Sequence, residues 1–281
     1  MNVQKNLAFA LIRTKLNALS LLSRRKAGEE AFRLFITPPK RSTRVSPLFA
    51  ASESLEFPLN GQMVRGYRVN HPSQKKVLLL HGFSSSVHSF DRYVSPLVEQ
   101  GYEVLAFNAP AHGNSEGKTV HAMLYAEMIR EVMERYGPVQ SFIAHSFGGL
   151  SVCLALEQVD HGPDTRIVLI APATETTTAI NSAFKLIGLK NPKIREDMEN
   201  IIFSMSGQKA EWFSVSRAIR KLQAQVLWVH DEDDDITPLS DTAPTREAKQ
   251  PNIAFRITRG LGHHQVYRHP DVVREVVDFL S

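Results

Sequence analysis

A chain of 281 residues, 43% hydrophobic and 22% charged, can bury one large core and is short for two full domains, so one catalytic-sized domain with an insertion is expected. Its single cysteine, Cys153, excludes an internal disulfide, disfavours a thiolate zinc site and suits a reducing, cytoplasmic compartment. The formal charge of +4 is uneven: residues 1–50 hold ten Lys or Arg against Glu29 and Glu30, a net +8, and no basic patch interleaved with aromatic residues suggests nucleic acid.

The first segment, residues 1–32, places Phe9, Ile12, Leu16, Leu19 and Leu22 at helical spacing with basic residues around them. Its uninterrupted apolar run, Leu7 to Ile12, is too short for a signal-peptide core or a membrane span. Such a helix can lie on an anionic membrane surface as a peripheral contact; packing against its own protein is the expected fate. After the Pro-punctuated link TPPKRSTRVSP, the runs LEFPLNG and MVRGYRVN read as two strands turning at Asn60 and Gly61. From there strand and helix alternate. KKVLLLHG, YEVLAFNAP, VQSFIAH, TRIVLIAP, AQVLWVHD and NIAFRITRG are short apolar runs of the kind buried on both faces of a parallel sheet, and HPDVVREVVDFL closes the chain as a helix. About fifty residues separate Ala171 from Leu222, too long for an ordinary connection. AINSAFKLIGL, IREDMENIIFSM and VSRAIRKL supply helices there, a cap at about 172–222 over the carboxyl ends of the strands.

The segment FIAHSFGGLSVCLAL carries a polar Ser146 where a buried strand turns directly into a helix. A strand-to-helix reversal strains the backbone at the turn, and small residues two positions either side, here Ala144 and Gly148, let the chains pass. The usual first glycine of G-x-S-x-G is alanine in this chain. A serine hydroxyl needs a base within hydrogen-bond reach, itself oriented by a carboxylate. Ligands of open parallel sheets bind beyond the carboxyl ends of the strands. LGHHQ offers His263 and His264 there, and VHDEDDDITP offers Asp231, Asp233, Asp234 and Asp235. The acidic run lacks the glycine and terminal glutamate of a calcium loop; it reads as a solvated turn containing one buried carboxylate, with no metal. Cys153 reads as a buried small apolar residue. Trp212 and Phe213 line an acyl pocket or form a small core of the cap itself.

The pieces HGFSS at 81–85, NAPAHGNS at 108–115, AHSFGG, HDEDDDITP and GLGHH, in this order on these elements, resemble the α/β-hydrolase family from about Leu55 to Leu280. NAPAHGNS is similar to that family's D-x-P-G-H-G-x-S segment, with Asn108 for Asp and Ala111 for Gly. The resemblance implies an α/β-hydrolase fold: a mostly parallel central sheet with helices on both faces and a helical cap insertion. Residues 1–48 would be a basic amphipathic N-terminal helical extension and 49–281 the hydrolase domain. It implies Ser146 as nucleophile, Asp234 as acid with Asp233 as alternative, His263 as base with His264 as alternative, and an oxyanion hole from the backbone N–H groups of Phe83 and Phe147. His81 and His112 would brace backbone, His145 would pack under the nucleophile, and His71, His88, His121, His161 and His269 are expected at the surface or in loops. The implied function is a serine hydrolase (an esterase or lipase type of enzyme) that cleaves a small-molecule carboxylic ester or thioester through an acyl-enzyme, without metal or organic cofactor. An acyltransferase on the same residues, or a non-catalytic binding protein of the same fold, are the alternatives. Oligomeric state is not legible.

Overall fold

The computed structural model of the protein describes residues 3–39 and 46–281. The central part of the Pro-punctuated link, 40–45, lies outside the described residues. By internal packing the chain divides into two compact units, Met1–Thr37 with Glu175–Ser214, and Pro38–Thr174 with Val215–Ser281. The N-terminal extension and the insertion thus fold as one helical unit, although the sequence treats them as an appendage and a cap.

The larger unit holds an eight-stranded sheet. Its strands are β1 (Glu53–Leu59), β2 (Gln62–Val69), β3 (Lys76–Leu80), β4 (Glu103–Phe107), β5 (Ser141–His145), β6 (Arg166–Ile170), β7 (Gln225–Asp231) and β8 (Ile253–Thr258), in the spatial order β1-β2-β4-β3-β5-β6-β7-β8. β1 and β2 pair antiparallel through a two-residue turn, with Asn60 at φ 49° and Gly61 at φ 76°. Both values are positive, as a type I′ hairpin requires. β2 runs antiparallel to β4, and every pairing from β4 through β3 to β8 is parallel. The pleat sends alternate side chains to opposite faces. Val77, Leu79, Val104, Ala106, Ile143, Val168 and Val229 share one buried core with Tyr93, Val94 and Leu97 and with Val272, Val276 and Leu280. Those partners lie on helices Asp91–Glu99 and Pro270–Leu280. The opposite face meets helices Ala122–Tyr136 and Phe147–Leu156; an added Cβ on Gly149 would lie 3.6 Å from Leu169 Cδ2. A parallel sheet covered on both faces needs apolar residues at consecutive positions, and KVLLL and EVLAF provide them.

In chain order the α-helices are α1 (Val3–Leu22), α2 (Arg24–Phe35), α3 (Pro47–Ala50), α4 (Asp91–Glu99), α5 (Ala122–Tyr136), α6 (Phe147–Leu156), α7 (Thr176–Ile187), α8 (Pro192–Ser206), α9 (Val215–Ala218), α10 (Ala243–Ala248), α11 (Gly262–Gln265) and α12 (Pro270–Leu280). The smaller unit is built from α1, α2, α7 and α8. Periodicity predicts a single helix at the start, and the structure has two. Ser23 takes extended backbone and its Oγ accepts the N–H of Lys26 at 3.3 Å, starting a new helix. Leu16 is buried and Phe9, Ile12 and Leu19 are half-buried. The α2 and α8 backbones cross closely enough that a Cβ on Gly28 would fall 2.7 Å from Asp197 Cβ. Arg24 reaches Asp197 and Glu196, each at 3.1 Å. Glycines in the left-handed region, Gly188 and Gly207, end α7 and α8. The ends of the insertion are clasped: Glu175 and Ser214 form an antiparallel bridge, and Ser214 Oγ donates to Glu175 Oε1 at 2.8 Å.

The third expected cap helix, VSRAIRKL, is instead the one turn of α9 followed by a 3₁₀ turn, and it belongs to the sheet unit. Arg217 forms a bidentate pair with Glu157 at the end of α6, at 2.6 and 2.7 Å, and Val215 N–H donates to Thr174 O. Among the described residues no helix is long and apolar enough to cross a membrane.

Candidate active site

The turn between β5 and α6 sets the site. Ser146 has φ 55° and ψ −118°, a left-handed conformation that costs a non-glycine residue on the order of 1–3 kcal/mol. Surrounding bonds hold it: Ser146 N–H donates to Ile170 O at 3.1 Å, and Ser146 O accepts from Gly149 and Ala173, both at 2.9 Å. A Cβ on Gly148 would sit 2.5 Å from Leu80 O, which is why a small residue follows the turn. Ala144, fully buried in β5, fits without strain at the position usually held by glycine.

Two loops bring partners to this serine. Asp231 ends β7, and the chain after it carries Asp234; the chain after β8 carries His263. His263 Nε2 lies 3.0 Å from Ser146 Oγ, and His263 Nδ1 lies 2.8 Å from Asp234 Oδ2. Asp234 Oδ1 also accepts the N–H groups of Ile236 and Thr237, both at 2.9 Å, and Thr237 Oγ1 stands 2.9 Å from Asp234 Oδ2 and 3.1 Å from His263 Nδ1. Burial pushes the Asp234 carboxyl up; the hydrogen bond and charge of His263, with the two N–H groups, outweigh it and hold the group below the usual carboxylate range. His230, buried beneath, accepts from Trp228 Nε1 at 3.3 Å and donates to Thr237 O at 2.6 Å, so the acid loop rests on a neutral imidazole kept so by burial.

The remaining acidic residues have other partners. Asp231 is fully buried and accepts from Thr258 Oγ1 (2.7 Å), Gly262 N (2.9 Å), Asp233 N (3.0 Å) and Leu261 N (3.1 Å). Asp233 Oδ2 accepts from Gly260 N at 2.9 Å. Asp231 and Asp233 tie the β7 loop to the backbone that delivers His263, and the expectation of a single buried carboxylate in a solvated turn is corrected: Asp231 and Asp234 are both buried. Asp235 and the side chain of His264 are exposed; the His264 ring packs edge to face on His263 at 5.2 Å, and neither residue bonds to Ser146 or Asp234. Among the described residues no cluster of three His, Cys, Asp or Glu side chains is arranged as a metal site.

On the other side of Ser146 the loop after β3 passes very close: a Cβ on Gly82 would lie 3.0 Å from Ser146 Cβ. The rings of Phe83 and Phe147 stand edge to face at 5.6 Å. Phe147 is the first residue of α6, where a helix N–H has no acceptor within its own helix, and neither its amide nor that of Phe83 donates to an acceptor among the described residues. His81 holds this loop by donating from Nδ1 to Gly82 O and accepting from Ala109 N, and burial together with His112 lowers its pKa to about 3. His112 Nε2 lies 2.5 Å from Phe83 O and its Nδ1 3.0 Å from Pro110 O. Ala111 adopts φ 67°, the left-handed backbone its usual glycine would take. Asn108 accepts from Val87 N with Oδ1 and donates from Nδ2 to Asn114 Oδ1.

Three side chains make contacts that sequence reading leaves unassigned, although it expects His145 under the nucleophile and names Asp231 among the carboxylates. His145 Nε2 lies 3.1 Å from His263 O, and its ring stacks between His263 and Tyr267 at 4.8 and 4.2 Å. Burial, and then His263, push its pKa well down, so the neutral ring donates that bond. Asp231 and Thr237 are the others; a strand-terminal Asp and a Thr before Pro238 are the only local signals. His88 is corrected from surface to interior: it is buried and its Nδ1 accepts from Ser46 N at 3.2 Å.

A family model for the alpha/beta hydrolase fold matches residues 75–200. Among curated proteins, the chain is 30% identical over 114 residues to the uncharacterized hydrolase YugF of Bacillus subtilis, 39% of this chain and 41% of that one. It is 23% identical over 238 residues to the uncharacterized protein YqkD of the same organism, 79% of this chain and 77% of that one. The chain thus spans under half the length of YugF. Among solved structures the Pyrococcus furiosus esterase Pf2001 superposes with a TM-score of 0.64 at 19% identity, covering 87% of this chain and 97% of that one. The sheet order, the strained strand-to-helix turn and these matches together show that the chain has the α/β-hydrolase fold.

Proposed function

We propose that this protein is a serine hydrolase that cleaves a carboxylic ester or thioester through an acyl-enzyme on Ser146. The observation that carries the reading is the run of contacts from Asp234 through His263 to Ser146 Oγ, at 2.8 and 3.0 Å. His263 Nε2 takes the hydroxyl proton as Oγ attacks the carbonyl carbon, and the same proton passes to the departing alcohol or thiol. The carbonyl oxygen gains charge in the tetrahedral intermediate and turns to the amides of Phe83 and Phe147, which donate to no acceptor among the described residues. Water activated by His263 then releases the acid and restores Ser146. Asp234, anionic throughout, keeps Nδ1 protonated and stabilises the imidazolium. The esterase name of the Pyrococcus furiosus neighbour is in keeping with this chemistry.

The test is labelling of purified wild type and Ser146→Ala with a fluorophosphonate, read by intact mass, beside hydrolysis of p-nitrophenyl esters and acyl thioesters of short and long chains. A single adduct absent from the variant, with turnover reduced by about 10⁴ to 10⁶, is expected. No adduct on folded wild type overturns the reading in favour of a binding role. Transfer to an added alcohol in preference to water replaces hydrolysis by acyl transfer.

A further inference from the structure

The helical unit has an apolar surface that its own packing does not consume. It makes up roughly a quarter of the chain, yet seven of the nine large exposed hydrophobic side chains among the described residues belong to it: Leu7, Leu11, Leu21, Leu22, Leu186, Phe203 and Met205. Four are on α1. At about 100° per residue, Leu7, Leu11, Thr14, Ala18, Leu21 and Leu22 fall within an arc of roughly 100°, running ~23 Å along the helix. Leu21 and Leu22 are 88% and 86% exposed. This stripe is separate from the one formed by Phe9, Ile12, Leu16 and Leu19, which faces the unit's interior. One helix therefore has two apolar faces, one packed and one bare.

Charge decides what fits the bare face. Residues 1–37 contain seven Lys or Arg and two Glu, and residues 175–214 contain five of each sign, so the helical unit is net +5 while the rest of the chain is net −1. The exposed lysines Lys26, Lys185, Lys190, Lys193 and Lys209 form no ion pair with a carboxylate among the described residues. A second copy of the chain would bring +5 against +5. The α1 stripe is also small and, Thr14 apart, aliphatic, without the Trp, Tyr and Arg anchors that concentrate energy in protein interfaces. Leucines on one arc of a helix, in a unit of net +5, match an anionic bilayer, where the leucines enter the acyl boundary and the unit's cations meet headgroup phosphates.

We infer that α1 is a peripheral membrane anchor: its Leu7, Leu11, Leu21 and Leu22 face seats the helical unit on an anionic phospholipid surface, while its Leu16 face holds that unit together. The inference stands independently of the chemistry assigned to Ser146.

The test is co-sedimentation of the full chain with phosphatidylcholine vesicles containing 30% phosphatidylglycerol, and with pure phosphatidylcholine. Retention on the anionic vesicles is expected, at least several-fold weaker in 0.5 M NaCl and about tenfold or more weaker for Leu7→Asp with Leu11→Asp. Leu21→Gln with Leu22→Gln is the second, milder pair, and Met123→Asp in the sheet unit is the control that leaves binding unchanged. Circular dichroism checks that each variant is folded. Absence of binding to the anionic vesicles overturns the inference, as does wild-type binding by both folded leucine pairs. A dimer in sedimentation velocity that the leucine pairs dissociate overturns it in favour of self-association.

Discussion

In the sheet unit, buried polar side chains answer one another: Asp231 gathers four donors, Asp234 serves His263 and two amides, His230 supports Thr237, and His145 reaches the carbonyl of His263. In the helical unit the polar pairs, such as Arg24 with Asp197, lie at the surface, and the conspicuous side chains are bare leucines. The difference teaches where each unit keeps its specificity. Buried networks are unforgiving because every lost partner leaves an unsatisfied group in low dielectric, so they fix atoms to fractions of an ångström. Surface ion pairs contribute little, and exposed aliphatic groups contribute only when something covers them.

Substitutions sharpen this contrast. The largest effect is expected from Asp234→Asn, about 10⁴ in ester turnover by misorienting the imidazole, with Asp233→Asn far milder; steady-state kinetics with both variants decides it, and the reverse order would move the acid to Asp233. Asp231→Asn comes next, at roughly 10 to 100-fold in kcat, since it loosens the Leu261–Gly262 backbone without touching Ser146. Its pH signature is distinct. Burial raises the Asp231 carboxyl, but the Thr258 hydroxyl and the amides of Gly262, Asp233 and Leu261 outweigh it and hold the pKa below 3.8. A group depressed on folding stabilises the protein above its unfolded pKa and loses that contribution as pH falls through its folded one. Thermal unfolding between pH 7 and 3 should therefore show the wild type weakening below about pH 4, and Asp231→Asn starting lower at neutral pH with a shallower acid slope. In the helical unit, Gly28→Ala places a Cβ against Asp197 backbone at 2.8 Å and should cost about 1–3 kcal/mol, read as a lowered Tm; an unchanged Tm would mean that α2 and α8 part without penalty. Leu21→Gln is the smallest, within about 0.5 kcal/mol of wild type in denaturant.

Local signals carried most of the fold. Two adjacent residues, Asn60 and Gly61, were enough for the hairpin, and continuous apolar runs were enough for strands buried on both faces. Ser146 was legible because its turn needs small neighbours that sit beside it in the chain. The particular contacts that support the site were not legible. His145 meets His263 across 118 positions and Asp231 meets Gly262 across 31, and no periodicity reports a contact at that separation. The division of the first helix hung on Ser23, one capping side chain within an unbroken pattern. VSRAIRKL has helical spacing, but Arg217 and the Thr174 bond hold it against the sheet unit as single turns.

The clasp at Glu175 and Ser214 means that about forty residues leave and rejoin the chain at one point, with neighbouring strands' spacing of about 5 Å between departure and return. Such a segment is a cassette. Its two ends meet at the Glu175–Ser214 bridge, so a change in its length need not displace β6 from β7.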